Sequence, residues 1–382
     1  MKRVCEGGLK TPSAPPLPLL DNPLEISKLN HLALRSLQAL FEEPQQLFCC
    51  RMLRAGDKWT RGETSVRQTL VALLGLRCLH RAGVQHHFDL AAIEKAVFKS
   101  LDWVSGIGDL GLLIRYAVLH SPSLLQPIYG RLECDCFPGQ DASQSHTECL
   151  AWLLAGLAQA RLTQPTGLPD FTDLAVETYH NLRANQGDSG IFCSRKPTRS
   201  VERFFRGRLG SLSDQASAIY GLSLFAQAFD VEEPLDDAME CAAALCNMQG
   251  SGGEWWSLYD SALGQVVGRY PLFSMYQDGI LPMAFFALGE ATGLEYHKPI
   301  QKGLQWVMGS NELAQDLRDP GGVFIWDSIA QKSKKSRFWQ MARSLARFPH
   351  RVTADDLEIC HEARPEHFGW LLSAFGAFGL PR

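Results

Sequence analysis

The residues best placed to do chemistry crowd into one segment, GGEWWSLYDSALGQVVGRYPLFSMYQDG, from Gly252 to Gly279. It holds Glu254, Trp255, Trp256, Tyr259, Asp260, Arg269, Tyr270, Gln277 and Asp278. Two tryptophans beside acids in a glycine-bounded loop suit sugar recognition, because aromatic faces stack on pyranose rings while carboxylates hold hydroxyls. Trp255 and Trp256 suit equally well a plug between two helices. Acids are rarely buried without a task, which singles out Asp260 and Asp278 as a pair on one cavity wall. A carboxyl enclosed by Trp255, Trp256 and Tyr259 favours its protonated form and can donate; a better hydrated partner stays ionised and acts as base or nucleophile.

A second stretch, CHEARPEHFGW from Cys360 to Trp370, adds His361, Glu362, Arg364, Glu366 and His367. Paired acids with a histidine and an arginine can perform general acid/base work on an anionic sugar. A third segment, NQGDSGIF at 185–192, precedes Asp214-Gln215 in the way MQGSGGEWW at 248–256 precedes Gln277-Asp278. The loop therefore repeats, and Asp214 joins Asp278, Asp260 and His367 as a candidate catalytic residue.

These residues need elements to position them, and the chain supplies a weak internal repeat. Six times a short polar cluster opens a strongly apolar block: at Ser65-Val66-Arg67-Gln68, Gly108-Asp109, His146-Thr147-Glu148, Ser213-Asp214-Gln215, Tyr276-Gln277-Asp278 and Pro365-Glu366-His367. Blocks such as CLAWLLAGLAQAR and FGWLLSAFGAFG are apolar nearly all round, so each must be buried on most sides. Between them lie stretches with one apolar stripe and one charged face, beginning at Ile26, Asp89, Leu124, Asp170, Pro234 and Lys298; these predict an outer layer. Hairpins of this kind cannot bury their apolar faces alone. Uneven spacing, with long insertions before the last three units, favours a closed ring over a regular solenoid. The expected fold is all-α: a closed (α/α)6 toroid of six helical hairpins spanning 24–382 as one domain, after a disordered tail over 1–23. Leu73, Leu113, Leu154, Leu222, Phe286 and Leu372 are the expected inner ring. Strand signals are nearly absent, with GVFIW at 322–326 able to form a short ribbon.

In such a ring the inner helices all point the same way, so their polar openings share one mouth. Helix starts offer free N–H donors and a favourable dipole for anionic groups. Asp, Ser and Thr there also serve as ordinary caps. Capping does not account for Arg67, Gln215, Gln277 and His367 recurring in the same places, so Arg67, Asp109, Glu148, Gln215, Gln277, Arg364 and Glu366 join Glu254, Trp255, Trp256, Tyr259 and Tyr270 as expected substrate-binding residues.

Composition narrows the classes. The 382 residues are 46% hydrophobic and 20% charged with a formal net charge of -4, which provides no field for nucleic acid. The 11 cysteines are scattered singles and close pairs, read as reduced thiols rather than a disulfide framework. A proline-rich stretch at 11–20 stands where a signal peptide needs an apolar helix, and no run reaches the roughly 18 apolar residues of a membrane span. A soluble, cytoplasmic protein is expected, and no motif sets an oligomeric state. No cofactor or metal is expected either. Cys360, His361 and His367 match no zinc spacing with Cys134 or Cys136, and DDAME at 236–240 is read as acid at a helix start rather than a magnesium-diphosphate motif. Walker and GxSxG signatures do not occur, and no dinucleotide-binding unit is expected.

The alternation of outer helix, Gly/Gln/Trp loop and inner helix resembles the α/α-toroid superfamily over about residues 26–380, both its six-hairpin glycosidase-like branch and its terpenoid cyclase and protein prenyltransferase branch. GGEWWSLYD is similar to the Gly-Trp loops of both. The cyclase branch implies a DxDD proton donor, which the chain lacks, and the prenyltransferase branch implies an Asp, Cys and His zinc site that these residues do not assemble. The glycosidase-like branch implies scattered acids and aromatics, and a hydrolase, lyase or epimerase acting on an oligosaccharide or a uronic-acid-containing glycan. Two other readings remain open from the residues: a cyclase-like enzyme with an isoprenoid in an aromatic pocket, and a non-catalytic helical binding scaffold. A mouth rich in acids with aromatic platforms favours sugar; an aromatic and aliphatic pocket with one isolated acid favours isoprenoid.

Overall fold

The computed structural model describes residues 23–136, 145–164, 169–195, 208–332 and 352–377. The expected tail over 1–23 lies, except for Pro23, outside the described residues. Helices alternate in chain order between an outer and an inner layer. The outer helices are α1 (Pro23–Leu40), α3 (Leu90–Val97), α5 (Leu125–Cys136), α7 (Thr172–Arg183), α9 (Glu233–Met248) and α11 (His297–Val307). The inner helices are α2 (Val66–Arg81), α4 (Ile107–His120), α6 (Thr147–Thr163), α8 (Leu212–Phe229), α10 (Leu281–Thr292) and α12 (Pro365–Phe375). Each inner helix packs on the next, and α12 packs back on α2, so the ring closes. This is the (α/α)6 toroid.

Burial follows the apolar patterning. In α8 every residue from Leu212 to Ala226 is buried, whereas α11 buries only the stripe Ile300, Gly303, Leu304, Trp306 and Val307. Leu73, Leu113, Leu154, Leu222 and Leu372 are completely buried; Phe286 is partly buried and meets Phe375 edge-on. Glycine lets inner helices touch backbone to backbone. A Cβ on Gly111 would sit 2.1 Å from the Trp152 carbonyl oxygen of α6, and one on Gly369 would sit 2.4 Å from the Val71 carbonyl oxygen of α2. These contacts pair residues that advance together along both chains, as parallel neighbours must.

Eleven short strands form four antiparallel sheets of two or three strands among the described residues. All lie on connections that run from an outer helix to the next inner helix. The ribbons therefore line the end of the ring where inner helices begin. GVFIW contributes an isolated bridge, Arg318 to Ile325, and the regular strand starts later, at Ser328–Gln331. The ribbon expected there is displaced because Phe324, Ile325 and Trp326 are drawn into the core. Cysteines with described side chains are all free thiols, Cys134 and Cys136 lying outside that set. No helix among the described residues is long and apolar enough to cross a membrane.

Candidate functional site

The first turns of all six inner helices contribute to one cluster. Arg67 on α2 donates from Nε to Asp109 Oδ1 of α4 at 2.8 Å, and its Nη1 lies 3.7 Å from Glu366 Oε2 of α12. Its charge also acts on Glu148 at the start of α6. The Glu148 backbone N–H donates to Asp214 Oδ1 of α8 at 3.3 Å. Tyr276, which leads into α10, is enclosed by Glu148, Ser213, Glu366 and Asp214, and burial pushes its phenol far up. Arg364 joins from the rim: its Nε lies 2.7 Å from Glu362 Oε1 and 3.6 Å from Asp327 Oδ1, and its Nη1 lies 3.9 Å from Glu366 Oε1.

The acids in this cluster differ in what holds them. Asp109 Oδ2 accepts from the Ser105 backbone N–H and hydroxyl, and its other oxygen meets Arg67. Asp214 forms a capping box with Ser211, and its Oδ2 also takes the Ser194 hydroxyl. That carboxylate is a cap and a fixed negative neighbour, the structural role open to any acid at a helix start, in place of the proton transfer the sequence suggests. Glu148 is the perturbed member: burial, then the Asp214 carboxylate, raise its carboxyl above the ordinary glutamate value, against smaller opposing effects of Ser213, Arg67 and Trp152. Asp327 is raised too, by burial, with Arg364 opposing.

Asp278 sits in a π-helical turn, Tyr276–Ile280, that widens the entry to α10. Turns of this kind recur at functional sites. Asp278 Oδ1 lies 2.7 Å from His367 Nε2, and both side chains are buried. Its Oδ2 is buried with no hydrogen-bond partner. The partner of Asp278 is thus His367, where the sequence suggested Asp260.

Below the mouth aromatics meet across the ring. Trp152 of α6 and Trp370 of α12, helices on opposite sides of the ring, stack at 4.8 Å and 13°, and Tyr220 of α8 lies 5.7 Å from Trp152. Sequence reasoning missed this floor, yet a signal existed. Glu148 and Trp152, like Glu366 and Trp370, are four residues apart, which places each tryptophan one turn beneath a mouth acid. Tyr276 was named in the fifth polar opening but not as a site residue, and Asp327 was missed, since nothing local distinguishes it from a turn residue.

The aromatic loop of the fifth unit has a different role. Gln277 accepts from the Trp255 backbone N–H at 2.9 Å and donates to the Trp255 carbonyl at 3.0 Å. Gln215 does the same to Phe192, at 2.7 and 2.8 Å. The recurring glutamines clamp the preceding loop to its inner helix, so their amides are spent on backbone rather than substrate. Trp255 and Tyr259 are buried, and Trp256 donates to the Met248 carbonyl while Arg269 covers its face. Tyr270 donates to Glu312, and Glu254 is buried beside that pair with its carboxyl raised by burial. Asp260 takes both contacts of its carboxylate from Arg208, at 3.0 and 2.8 Å, and accepts from the N–H groups of Ala262 and Leu263. Asp237 of DDAME bonds Tyr179 and Arg183 between two outer helices. No group of three or more His, Cys, Asp or Glu side chains among the described residues is arranged to hold a metal.

No protein-family model matches the chain, and no curated protein matches it by sequence. Solved structures match it in fold. A possible member of the GH105 family from Salmonella enterica superposes with a TM-score of 0.60 at 12% identity, covering 94% of both chains. An unsaturated glucuronyl hydrolase from Streptococcus agalactiae gives 0.60 at 12% identity over 94% of this chain and 92% of that one. A sugar epimerase from a ruminal bacterium gives 0.60 at 9% identity over 94% and 100%. The chain shares with them the glycosidase-like α/α toroid.

Proposed function

We propose that this chain is a carbohydrate-active enzyme, a hydrolase, lyase or epimerase that works on an oligosaccharide or a uronic-acid-containing glycan by carboxylate acid/base chemistry. The observation that carries the reading is the convergence of Arg67, Asp109, Glu148, Asp214 and Glu366 from five inner helices, and of Tyr276 from the turn that leads into the sixth, on one mouth above an aromatic floor. Many acids with aromatics beneath them fit a sugar better than an isoprenoid, whose cationic intermediates need an apolar enclosure with one isolated acid. A binding scaffold has no use for a carboxyl perturbed in the manner of Glu148. Structures of the same fold that are described as sugar enzymes lend support by analogy.

In this reading Glu148, whose protonated form is favoured by burial and by Asp214, donates its proton to the substrate oxygen that leaves or is polarised. Glu366, set between the guanidinium groups of Arg67 and Arg364, supplies the second carboxylate, which accepts a proton or attacks. Asp278 is a positioning residue: its contact with His367 fixes the imidazole and the proton on its Nε2 side. Activity as an acid requires protonated Glu148, so the rate falls as pH rises through its raised pKa. The test is turnover of a panel of chromogenic and reducing-end-labelled glycosides, neutral and uronic. Glu148→Gln should lose about 100 to 10,000-fold in rate on whichever member is turned over. Asp278→Asn should lose a similar amount, because an amide facing His367 favours the wrong tautomer. Turnover of no member by the wild type, or retention of more than about a tenth of the activity by Glu148→Gln, contradicts the reading.

A further inference from the structure

The ring interior contains a guanidinium that no described carboxylate meets. Arg115 lies on α4 and is 7% exposed. Its Nε and Nη1 are buried without a hydrogen-bond partner, and its guanidinium carbon stands 5.4 Å from the Tyr220 ring. Tyr220 leans on Trp152, so Arg115 borders the aromatic floor. Three other arginines of the ring are paired with acids: Arg67 with Asp109, Arg77 with Glu94, and Arg364 with Glu362. Attraction to the Tyr220 face explains where the Arg115 side chain rests, but it supplies no acceptor for two buried N–H donors and no counter-charge.

The surroundings supply no counter-charge. Burial, and then Arg81, Arg77 and Arg115, lower the pKa of His120, further along the same helix, to about 3. Glu94, the acid on this side of the ring, is already engaged by Arg77, Tyr116 and Ser121. A buried, unpaired cation is costly unless a counter-ion completes it.

We propose that Arg115 is the binding element for an oxyanion inside the ring, a carboxylate, sulfate or phosphate group that accepts from its guanidinium N–H donors. The planar, always-charged guanidinium suits the oxygens of such a group. The group can belong to a free inorganic ion or to the acidic substituent of a sugar that enters through the mouth. This inference does not depend on Glu148 being catalytic, and it stands or falls without any turnover.

The experiment is thermal unfolding of the full chain in low-salt buffer, with inorganic phosphate, sodium glucuronate or glucose added in turn. Phosphate or glucuronate should raise the wild-type Tm saturably, by about 3 °C near full occupancy, and glucose should not. Phosphate alone acting identifies a free ion, and glucuronate alone identifies the acid group of a sugar. Arg115→Met and Arg115→Gln should both lose the rise, and without added anion should melt no lower than wild type, since each removes an unpaired buried charge. The proposal is overturned if neither anion shifts the wild type, or if the shift survives in both variants. It is also overturned if both variants melt several degrees below wild type in the anion-free buffer, because the guanidinium would then already have its partners in the fold.

Discussion

Glu148 and Asp260 are both carboxylates withdrawn from water, and the difference between their surroundings separates the mouth of the ring from the loop that looked most chemical. Asp260 receives Arg208 Nη2 at both carboxylate oxygens and two turn N–H groups at Oδ1, so its charge is answered by a cation and by backbone donors. Glu148 faces another carboxylate, Asp214, whose own oxygens are locked by a capping box and by Ser194, and its ionisation is opposed. A satisfied acid holds structure together; an acid whose ionisation is opposed is the better proton donor. The same contrast extends outward. All four aromatics are buried, but Trp255 and Tyr259 lie in the loop around Asp260, whereas Trp152 and Trp370 stack one turn beneath the acids of the mouth.

The comparison can be broken at either end. Asp260→Asn should give the largest effect on stability, a loss on the order of 3 kcal/mol, because it leaves Arg208 without its counter-charge. Chemical denaturation measures it, and Glu148→Gln is the control. A carboxyl raised in the folded state binds its proton more tightly there than in the unfolded chain, so its contribution to stability falls as pH rises through the window from the ordinary value of 4.5 to its raised one. Above that window Glu148→Gln should therefore unfold at or above the wild-type denaturant concentration. An equal loss in both variants would erase the distinction.

A smaller effect is expected at the glutamine clamps. Gln277→Leu and Gln215→Leu each strand a backbone N–H and C=O, at Trp255 and Phe192, and should cost about 1–3 kcal/mol apiece. Hydrogen exchange should quicken at the stranded amide of each variant and not at the other. Matching losses would show that two units of the ring use one device; a near-neutral Gln277→Leu would return that side chain to the list of substrate contacts.

The fold was legible because its signal is local and repeated. Blocks apolar on every side, such as that in α8, alternate with striped ones such as α11, and no arrangement but an inner and an outer layer buries both. Convergence at the mouth was legible for the same reason, since parallel inner helices bring their first turns to one end. What a given polar residue does there was not legible. Gln215 and Gln277 occupy the mouth position in the sequence pattern, but their partners are backbone groups of the preceding loop, a fact set by three-dimensional register. Asp260 read as a catalytic acid because Arg208, its partner, lies 52 residues earlier. Trp255, Trp256 and Tyr259 carry the composition of a sugar platform, but the burial of Trp255 and Tyr259 and the Trp256 bond to the Met248 carbonyl are set by the fold and not by local sequence.

The most direct measurement is a carbon-13 NMR titration of the side-chain carboxyls in selectively labelled protein, with Glu148 assigned through Glu148→Gln. It needs no substrate. The account predicts that Glu148 titrates above the ordinary glutamate value of 4.5 and moves back toward it in Asp214→Asn, where the opposing charge is gone. A Glu148 resonance that titrates at or below 4.5, and does not respond to Asp214→Asn, would contradict the claim that the mouth of this ring holds a proton ready to be given.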